Sequence, residues 1–357
     1  MKVLYYIRKN YLEQSGGDTI QLFKTKEYLE RLGVEINISS SVDINSNDYD
    51  FIHAFNVIPI NPLYEFVLKH HRKKIVLSTI YWNRDEYYQK VSKKKSLIRK
   101  LYFATNKIPI INNIINQDLV TKMGFNTNES FKEKLRYCIE SSKLILPNSE
   151  AEQANIESEL SIKFKSIVVP NGVDINIQPV SVQEIKRKYS IPDDFLICVG
   201  RIEYRKNQAE LLKVAKRIDI PVVLVGRINW HEKKYFKQFA NYKFIHIEKL
   251  TQPELFGLYS TAKAHVMPSW FETPGLVSLE AAFMGTQIVT TDRGSVREYF
   301  REHAFYCSPD SADSIEKAVL ESLNYPKDMA IMKKIIKNNY TWEIIAQKTF
   351  SAYQTVL

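Results

Sequence analysis

Short apolar runs alternate with longer amphipathic segments along the whole chain. The short runs are rich in β-branched and aromatic residues, which is typical of buried strands. The segment TIQLFKTKEYLERLG predicts a helix with apolar residues Ile20, Phe23, Leu29 and Leu32 and a stop at Gly33. The predicted strands are KVLYYI, VEINI, DFIHAF, KIVLST and KLILP in the first half, and FLICVG, PVVLVG, KFIHI, AHVMP and QIVTT in the second.

This strand and helix alternation predicts an α/β protein with parallel sheets covered by helices on both faces. The pattern occurs twice, and the turn residues of SIVVPNGVD (166–174) separate the two occurrences. A length of 357 residues also fits two domains of ordinary size. We therefore expect two doubly wound domains that face each other, with the first ending at 168 and the second beginning at 169.

Composition narrows the class of protein. A hydrophobic fraction of 45% with 25% charged residues is that of a folded chain. The three cysteines, Cys138, Cys198 and Cys307, are far apart and odd in number, which argues against a disulfide framework or a zinc knuckle. No run approaches about 18 apolar residues, and the first residues meet charge too early for a signal peptide. These features predict a cytoplasmic protein.

The net charge of +10 is concentrated in one stretch. Residues 70–107 contain eleven Lys and Arg residues and two acids, a local charge of +9. Nucleic acid and an anionic membrane surface are two partners for such a patch, and a solvated face that binds nothing is the third interpretation.

Candidate binding residues follow the predicted strands, where open α/β sheets bind ligands. Gly16 and Gly17 follow the first strand, and either let a ligand approach the backbone or simply form a turn. Arg201 follows FLICVG, and Lys206 precedes the next helix. Two cations beside a helix N-terminus suit a diphosphate, although loop cations are often only solvated.

The crossover WFETPGLVSLEAAFMG places one carboxylate in a loop and another in a helix. Pro274 keeps Glu272 in the loop, and Gly285 ends the helix that carries Glu280. In a nucleotide-sugar site, the loop acid would bind the sugar, the free helix amides the phosphate and the helix acid the ribose. The alternative interpretation is that both glutamates are simply solvated. The amides in question are those of Gly275, Leu276 and Val277.

These segments together resemble the family-4 retaining glycosyltransferases of the GT-B fold. The resemblance implies two Rossmann-like domains with a cleft between them: an acceptor domain at 1–168, a donor domain at 169–338, and a helix at 339–357 that returns to the first domain. It is carried, in chain order, by GGDTIQLFKTKEYLERLGVEI, VVPNGVD, VGRIEYRKN, SWFETPGLVSLEAAFMG, TDRGSVREYF and TWEIIAQKTFSAYQ.

The resemblance also implies roles for individual residues. Arg201 and Lys206 would bind the donor diphosphate, Glu280 the ribose, and Glu272 the donor sugar. Gly17 would bring first-domain backbone to the donor, and the amides of Gly275, Leu276 and Val277 would assist at the sugar and phosphate. Catalysis would depend on Glu272, Arg201 and Lys206, with no metal and no cofactor, and with a UDP- or GDP-sugar as substrate. The triplet Asp48-Tyr49-Asp50 resembles a manganese motif, but we interpret it as the entry to a strand.

Two positions depart from the family pattern. Thr273 and Pro274 stand where the family usually has glycine and phenylalanine. Tyr81 stands near the place of a frequent first-domain histidine, and we interpret His53, on another strand, as a packed histidine. We therefore name no catalytic base, and front-face attack is the expected route to retention.

The leading hypothesis is sugar transfer to a glycan or lipid-linked glycan in the synthesis of a bacterial surface polysaccharide such as lipopolysaccharide or capsule. The basic stretch would then place the enzyme on the cytoplasmic face of the membrane through KKKSLIRKLYFATNKIPIINNIINQ, unless its isoleucines pack on the first domain. The alternatives are a nucleotide-sugar epimerase of the same architecture and a basic nucleic-acid-binding protein. We favour no nucleic-acid partner, because that function leaves Glu272 and Glu280 unexplained.

Overall fold

The computed structural model describes residues 1–91, 129–229, 232–273 and 275–357. The chain forms two compact units. The first contains Met1–Pro170 together with Ile345–Leu357, and the second contains Asn171–Ile344. Pro274 and residues 92–107 of the basic stretch lie outside the described residues. Within the described part, no helix is both long enough and apolar enough to cross a membrane.

The first unit is built on a five-stranded parallel sheet in the order β2-β1-β3-β4-β5. The central strands are buried on both faces, which explains their continuous apolar sequences. The strands are β1 (Lys2–Tyr6), β2 (Glu35–Ser39), β3 (Phe51–Phe55), β4 (Ile75–Ser78) and β5 (Leu144–Ile145). The helices are α1 (Gly17–Glu30), α2 (Ile60–Lys69), α3 (Asp85–Val91), α4 (Glu129–Glu140) and α5 (Glu150–Leu160).

The helix predicted after the first strand is confirmed as α1, although most of the apolar residues that indicated it face solvent. Ile20, Phe23 and Leu32 are exposed, and Leu29 is buried. The buried face carries Leu22 and Tyr28 together with polar residues that have partners inside the unit. Gln21 Nε2 donates to Asn148 Oδ1 at 2.9 Å, and Asp18 Oδ2 accepts from Arg8 Nε at 2.8 Å. Gly33, with φ +81°, follows the helix in the left-handed conformation, as its position predicted.

The C-terminal segment joins the first unit through a buried polar cluster. The Tyr353 hydroxyl lies 2.6 Å from His53 Nδ1 and 2.9 Å from the Tyr5 hydroxyl, and His53 Nε2 lies 2.9 Å from Ser78 Oγ. Burial lowers the pKa of His53 to about 3, so the ring is neutral near pH 7. His53 is thus a packed, hydrogen-bonded histidine, as predicted.

The second unit contains a six-stranded parallel sheet in the order β11-β10-β9-β6-β7-β8. Ten strands of the two units were predicted, whereas β11 was not. The strands are β6 (Leu196–Val199), β7 (Val222–Val225), β8 (Ile245–Ile247), β9 (Ala264–Met267), β10 (Gln287–Thr291) and β11 (Phe305–Cys307). The helices are α6 (Val182–Tyr189), α7 (Gln208–Arg217), α8 (Lys233–Phe236), α9 (Gln252–Tyr259), α10 (Leu276–Phe283), α11 (Val296–Phe300), α12 (Ala312–Asn324), α13 (Met329–Asn339) and α14 (Trp342–Gln354), the last continuing into the C-terminal segment of the first unit.

This strand order has a switch point in its centre. From β6 the chain adds β7 and β8 on one side, and then returns to add β9, β10 and β11 on the other. The loops that leave β6 and β9 therefore diverge to opposite sides and leave a crevice at the carboxyl ends of these two strands. Apolar clusters pack against both faces of the sheet. All three cysteines of the chain are buried and free.

Candidate functional site

Two predicted site segments leave the sheet side by side. β6 pairs with β9 through Leu196 with Ala264 and Ile197 with His265. Arg201 and Lys206 follow β6, and Glu272 follows β9. The switch point therefore brings together side chains that are 66 positions apart in the sequence.

Lys206 and Glu272 form a buried ion pair. Lys206 Nζ donates to Glu272 Oε1 at 2.6 Å, and the residues are 8% and 5% exposed. Burial would raise the pKa of Glu272, but Lys206 and Arg205 outweigh it and hold that pKa below its usual value. Glu272 is therefore ionised at neutral pH.

The Lys206 side chain packs beside Gly200 at the end of β6. The φ of +150° at Gly200 favours glycine, and a Cβ there would lie 3.4 Å from Lys206 Cε. The stem of Lys206 thus passes close to the backbone before its ammonium reaches Glu272.

Arg201 is the more open cation of this site. Its side chain is 42% exposed, and Nε lies 3.5 Å from Oε2 of the buried Glu203. Burial would raise the pKa of Glu203, yet Arg205, Arg201 and Lys206 together lower it to about 2. Glu203 therefore stays ionised and orients its neighbours.

The backbone of Glu272 is fixed by the segment after β10. Glu272 forms a parallel bridge with Gly294, and the Ser295 amide donates to the Glu272 carbonyl at 3.0 Å. Gly294 has φ +94°, and a Cβ there would lie 1.9 Å from that carbonyl oxygen. Only glycine lets the two segments approach this closely.

Helix α10 begins at the same edge of the sheet. Gly275, with φ +73°, is its N-cap, and its carbonyl accepts from the Ser278 and Leu279 amides. Among the described residues, no acceptor contacts the amides of Leu276 and Val277, nor that of Gly275 itself. A helix start of this kind attracts anions.

Glu280 lies further along α10 and has a different environment from Glu272. Its Oε1 accepts from Gln252 Nε2 at 3.1 Å, at the start of α9. Burial of the carboxyl group raises the pKa of Glu280 to about 7, against the smaller opposing effect of Gln252. No described contact joins Glu280 to Arg201 or Lys206.

Comparison with known proteins identifies this part of the chain. Residues 181–342 match the sequence family of glycosyl transferases group 1. The second unit is a group 1 glycosyltransferase domain. The O-antigen chain mannosyltransferase B of Escherichia coli is 24% identical over 62% of this chain and 65% of its own length. The chain spans 54% to 65% of the length of the first curated relatives that it matches.

Solved structures extend the likeness in fold to the whole chain. Sucrose-phosphate synthase from Thermosynechococcus elongatus has a TM-score of 0.75 at 14% identity, covering 99% of this chain and 98% of its own. Anabaena HepE, solved with UDP and glucose, has a TM-score of 0.69 at 15% identity, with 99% of each chain covered. The fold is the α/β GT-B fold, as the sequence predicted.

The start of helix α7 differs from the sequence prediction, which placed Lys206 at the N-terminus of this helix. Lys206 lies in a 3-10 turn (Tyr204–Lys206), and α7 begins after it at Gln208. The Ala209 amide donates to the Tyr235 hydroxyl at 2.9 Å. Because this amide is already bonded within the protein, the α7 terminus is a weaker anion site than the sequence suggested.

The predicted residues of the first unit lie around its own sheet. Gly17 is the first residue of α1, directly after β1 and its loop. Tyr81 is fully buried, and its hydroxyl donates to Glu159 Oε2 at 2.7 Å. Asp50 Oδ2 accepts from the Lys2 amide at 2.8 Å beside the start of β3, which agrees with a strand-entry role. In the described part of the chain, no three His, Cys, Asp or Glu side chains cluster as metal ligands would.

Three residues of the site were missed by sequence reasoning. Glu203 and Arg205 stand in RIEYRKN between the two predicted cations, where alternating charges are typical of a solvated loop. Gly294 stands in TDRGSVREYF, which supported the resemblance but suggested no role for one glycine. Only the adjacency of β6, β9 and β10 reveals their contacts.

Proposed function

We propose that the protein is a retaining glycosyltransferase that moves a sugar from a nucleotide-diphosphate sugar to a glycan or lipid-linked glycan. The observation that carries this proposal is the charged network of Arg201, Lys206 and Glu272 at the switch point of a group 1 domain. In open α/β sheets this position is the preferred site for nucleotides.

The charges of the network suit a diphosphate. Three cations surround two carboxylates, Glu203 and Glu272, which leaves an excess of one positive charge. Arg201 is the most exposed of these cations, and its one ion pair among the described residues is the 3.5 Å contact with Glu203. Its guanidinium therefore has donors left for phosphate oxygens. Lys206 has three donors and uses one on Glu272.

The remaining residues suit the other parts of the donor. The α10 amides supply dipoles for a phosphate or for sugar hydroxyls. Glu280, in its ionised form, accepts hydrogen bonds from the two ribose hydroxyls. Glu272 is ionised and fixed in place, so it can accept from hydroxyls of the transferred sugar.

The reaction proposed for this site needs no covalent enzyme intermediate. The bond between the anomeric carbon and the diphosphate oxygen breaks, and the acceptor oxygen forms its bond to the same face of that carbon. The acceptor proton passes to the departing diphosphate. Arg201, Lys206 and the α10 amides stabilise the negative charge that develops there, as a metal ion does in other enzymes. Metal independence is part of this proposal.

The comparisons favour a role in surface polysaccharide synthesis. One relative acts, by its name, on the O-antigen chain, and HepE binds UDP and glucose. A UDP- or GDP-sugar is therefore the donor we propose, with the reaction on the cytoplasmic side of the membrane. Docking to anionic lipid through residues 70–107 is a separate hypothesis, and salt-sensitive sedimentation with anionic vesicles tests it.

A panel of nucleotide sugars tests the proposed function. A donor present at 100 times its dissociation constant should stabilise the protein by about 2.7 kcal/mol in thermal unfolding. The donor that stabilises is then incubated with candidate glycans, and NMR of the product reports the anomeric configuration. A product with inverted configuration would contradict the mechanism, and conversion of the donor without acceptor would indicate an epimerase.

A further inference from the structure

Arg205 joins the two loops that form the switch-point site. Its Nη2 and Nε lie 3.0 and 3.1 Å from Glu203 Oε1 in the loop after β6. On the other side, Nη1 donates to the Phe271 carbonyl at 3.1 Å and lies 3.4 Å from Glu272 Oε1. The Trp270 amide in turn donates to the Arg205 carbonyl at 2.8 Å.

We propose that Arg205 is a positioning residue that fixes the Glu272 carboxylate for the donor sugar. This inference rests on the proposed function, since it gives Glu272 a substrate to contact. Arg205 differs from Arg201 in that its donors are directed at the protein and its side chain is 24% exposed, compared with 42%. Its task is therefore to hold Glu272 rather than to bind phosphate.

The geometry of the contacts requires a guanidinium. One planar fork reaches a carboxylate, a backbone carbonyl and a second carboxylate at the same time, and it packs 5.2 Å from the centroid of the Phe271 ring. A lysine supplies the same charge from one ammonium on a flexible stem and cannot make all these contacts together.

Glu203 holds the Arg205 guanidinium on the side away from the Phe271 carbonyl. It is 6% exposed, and its two oxygens lie near two different arginines, Oε1 near Arg205 and Oε2 near Arg201. The chain of contacts runs from Glu203 through Arg205 to Glu272. A change at Arg205 therefore moves Glu272 without removing the predicted phosphate ligands.

Steady-state kinetics with the donor found above test this role. In Arg205→Lys and Arg205→Met, kcat should fall on the order of 10- to 100-fold, because small displacements of reacting groups have effects of this size. The Kd of the nucleotide diphosphate should change less than about threefold, since Arg201 and Lys206 remain. Arg217→Lys is the matched control, because Arg217 pairs with Asp313 and Glu316 at the surface.

Two kinetic results would contradict the positioning role of Arg205. Wild-type kcat in Arg205→Lys would show that charge alone suffices and would overturn the positioning role. A Kd that weakens as much as kcat falls would make Arg205 a phosphate ligand instead.

A second measurement needs no substrate. Carbon-13 labelling of glutamate carboxyl groups, with the Glu272 signal assigned by Glu272→Gln, gives the pKa of Glu272 by NMR titration. That pKa should rise in Arg205→Met, because a neighbouring positive charge is lost. An unchanged pKa would overturn the contact between the two side chains. The titration remains decisive even if no nucleotide sugar is turned over, so failure of this inference is distinguishable from failure of the proposed function.

Discussion

At the scale of single residues, the site depends on charges that compensate one another away from water. Lys206 and Glu272 are both buried and 2.6 Å apart, so either one alone would leave an uncompensated charge. An isolated buried charge costs far more than a paired one. The same pair that we assign to the donor therefore also stabilises the folded domain.

Lys206→Met should lower the free energy of unfolding by about 3 kcal/mol, the lower end of the range for a broken buried pair, because Arg205 still contacts Glu272. The double variant Lys206→Met/Glu272→Gln should recover part of this loss, because the buried carboxylate that Lys206→Met leaves without its ammonium partner is then also removed. Urea denaturation measures both. The control Lys263→Met breaks an exposed pair with Asp194 and should cost less than about 1 kcal/mol. If Lys206→Met and Lys263→Met lost the same free energy of unfolding, the result would contradict a buried pair of Lys206 and Glu272.

Gly294 offers a second residue-scale test. Gly294→Ala should destabilise the protein and weaken binding of the donor, because its Cβ would overlap the Glu272 carbonyl. Gly285→Ala is the matched control: Gly285 has a similar φ of +92°, but a Cβ there meets nothing within 4 Å. The control should therefore cost only the left-handed backbone strain, roughly 1–2 kcal/mol. Thermal unfolding and donor titration compare the two, and equal effects on donor binding would contradict the role of Gly294.

At the scale of elements, α10 and the loop before it carry most of the proposed donor contacts. The sequence predicted this helix, its glycine start and its stop before Gly285, because proline and glycine mark helix ends. It could not predict that Gln252 of α9 would bond Glu280, since the two helices meet only in the folded domain. Nor could it predict that α1 would bury Asp18, Gln21 and other polar residues beside its apolar ones, since their partners lie elsewhere in the first unit.

The pKa of Glu280, about 7, makes stability depend on pH. An unfolded glutamate has a pKa of about 4.3, so between these values the folded state binds more protons. The contribution of Glu280 to stability should therefore fall as pH rises from about 4.3 to 7 and then level off. Urea midpoints of wild type and Glu280→Gln should diverge over that window, with the variant increasingly more stable. A constant difference across the window would contradict a raised pKa.

At the scale of the whole molecule, the sequence supported the fold class better than the site. Alternating apolar runs predicted both parallel sheets because buried strands have a strong signature. Strand β11 has three residues, which is too short for a recognisable apolar pattern. The contacts among Glu203, Arg205 and Glu272 depend on which strands are neighbours, and local patterns do not contain that information. The role of Gly17, which opens α1, stays a prediction.

We expect a nucleotide diphosphate to bind at the ends of β6 and β9. Calorimetric titration of UDP and GDP into wild type, Arg201→Met and Arg217→Met measures this binding, because Arg201 is exposed and its loss should leave the fold intact. A hydrogen bond to a charged group contributes about 1.5–3 kcal/mol, so Arg201→Met should weaken binding at least about tenfold. Arg217→Met should bind as wild type does. Undiminished affinity in Arg201→Met, or no binding of either nucleotide to wild type, would show that the nucleotide does not bind at this edge of the sheet.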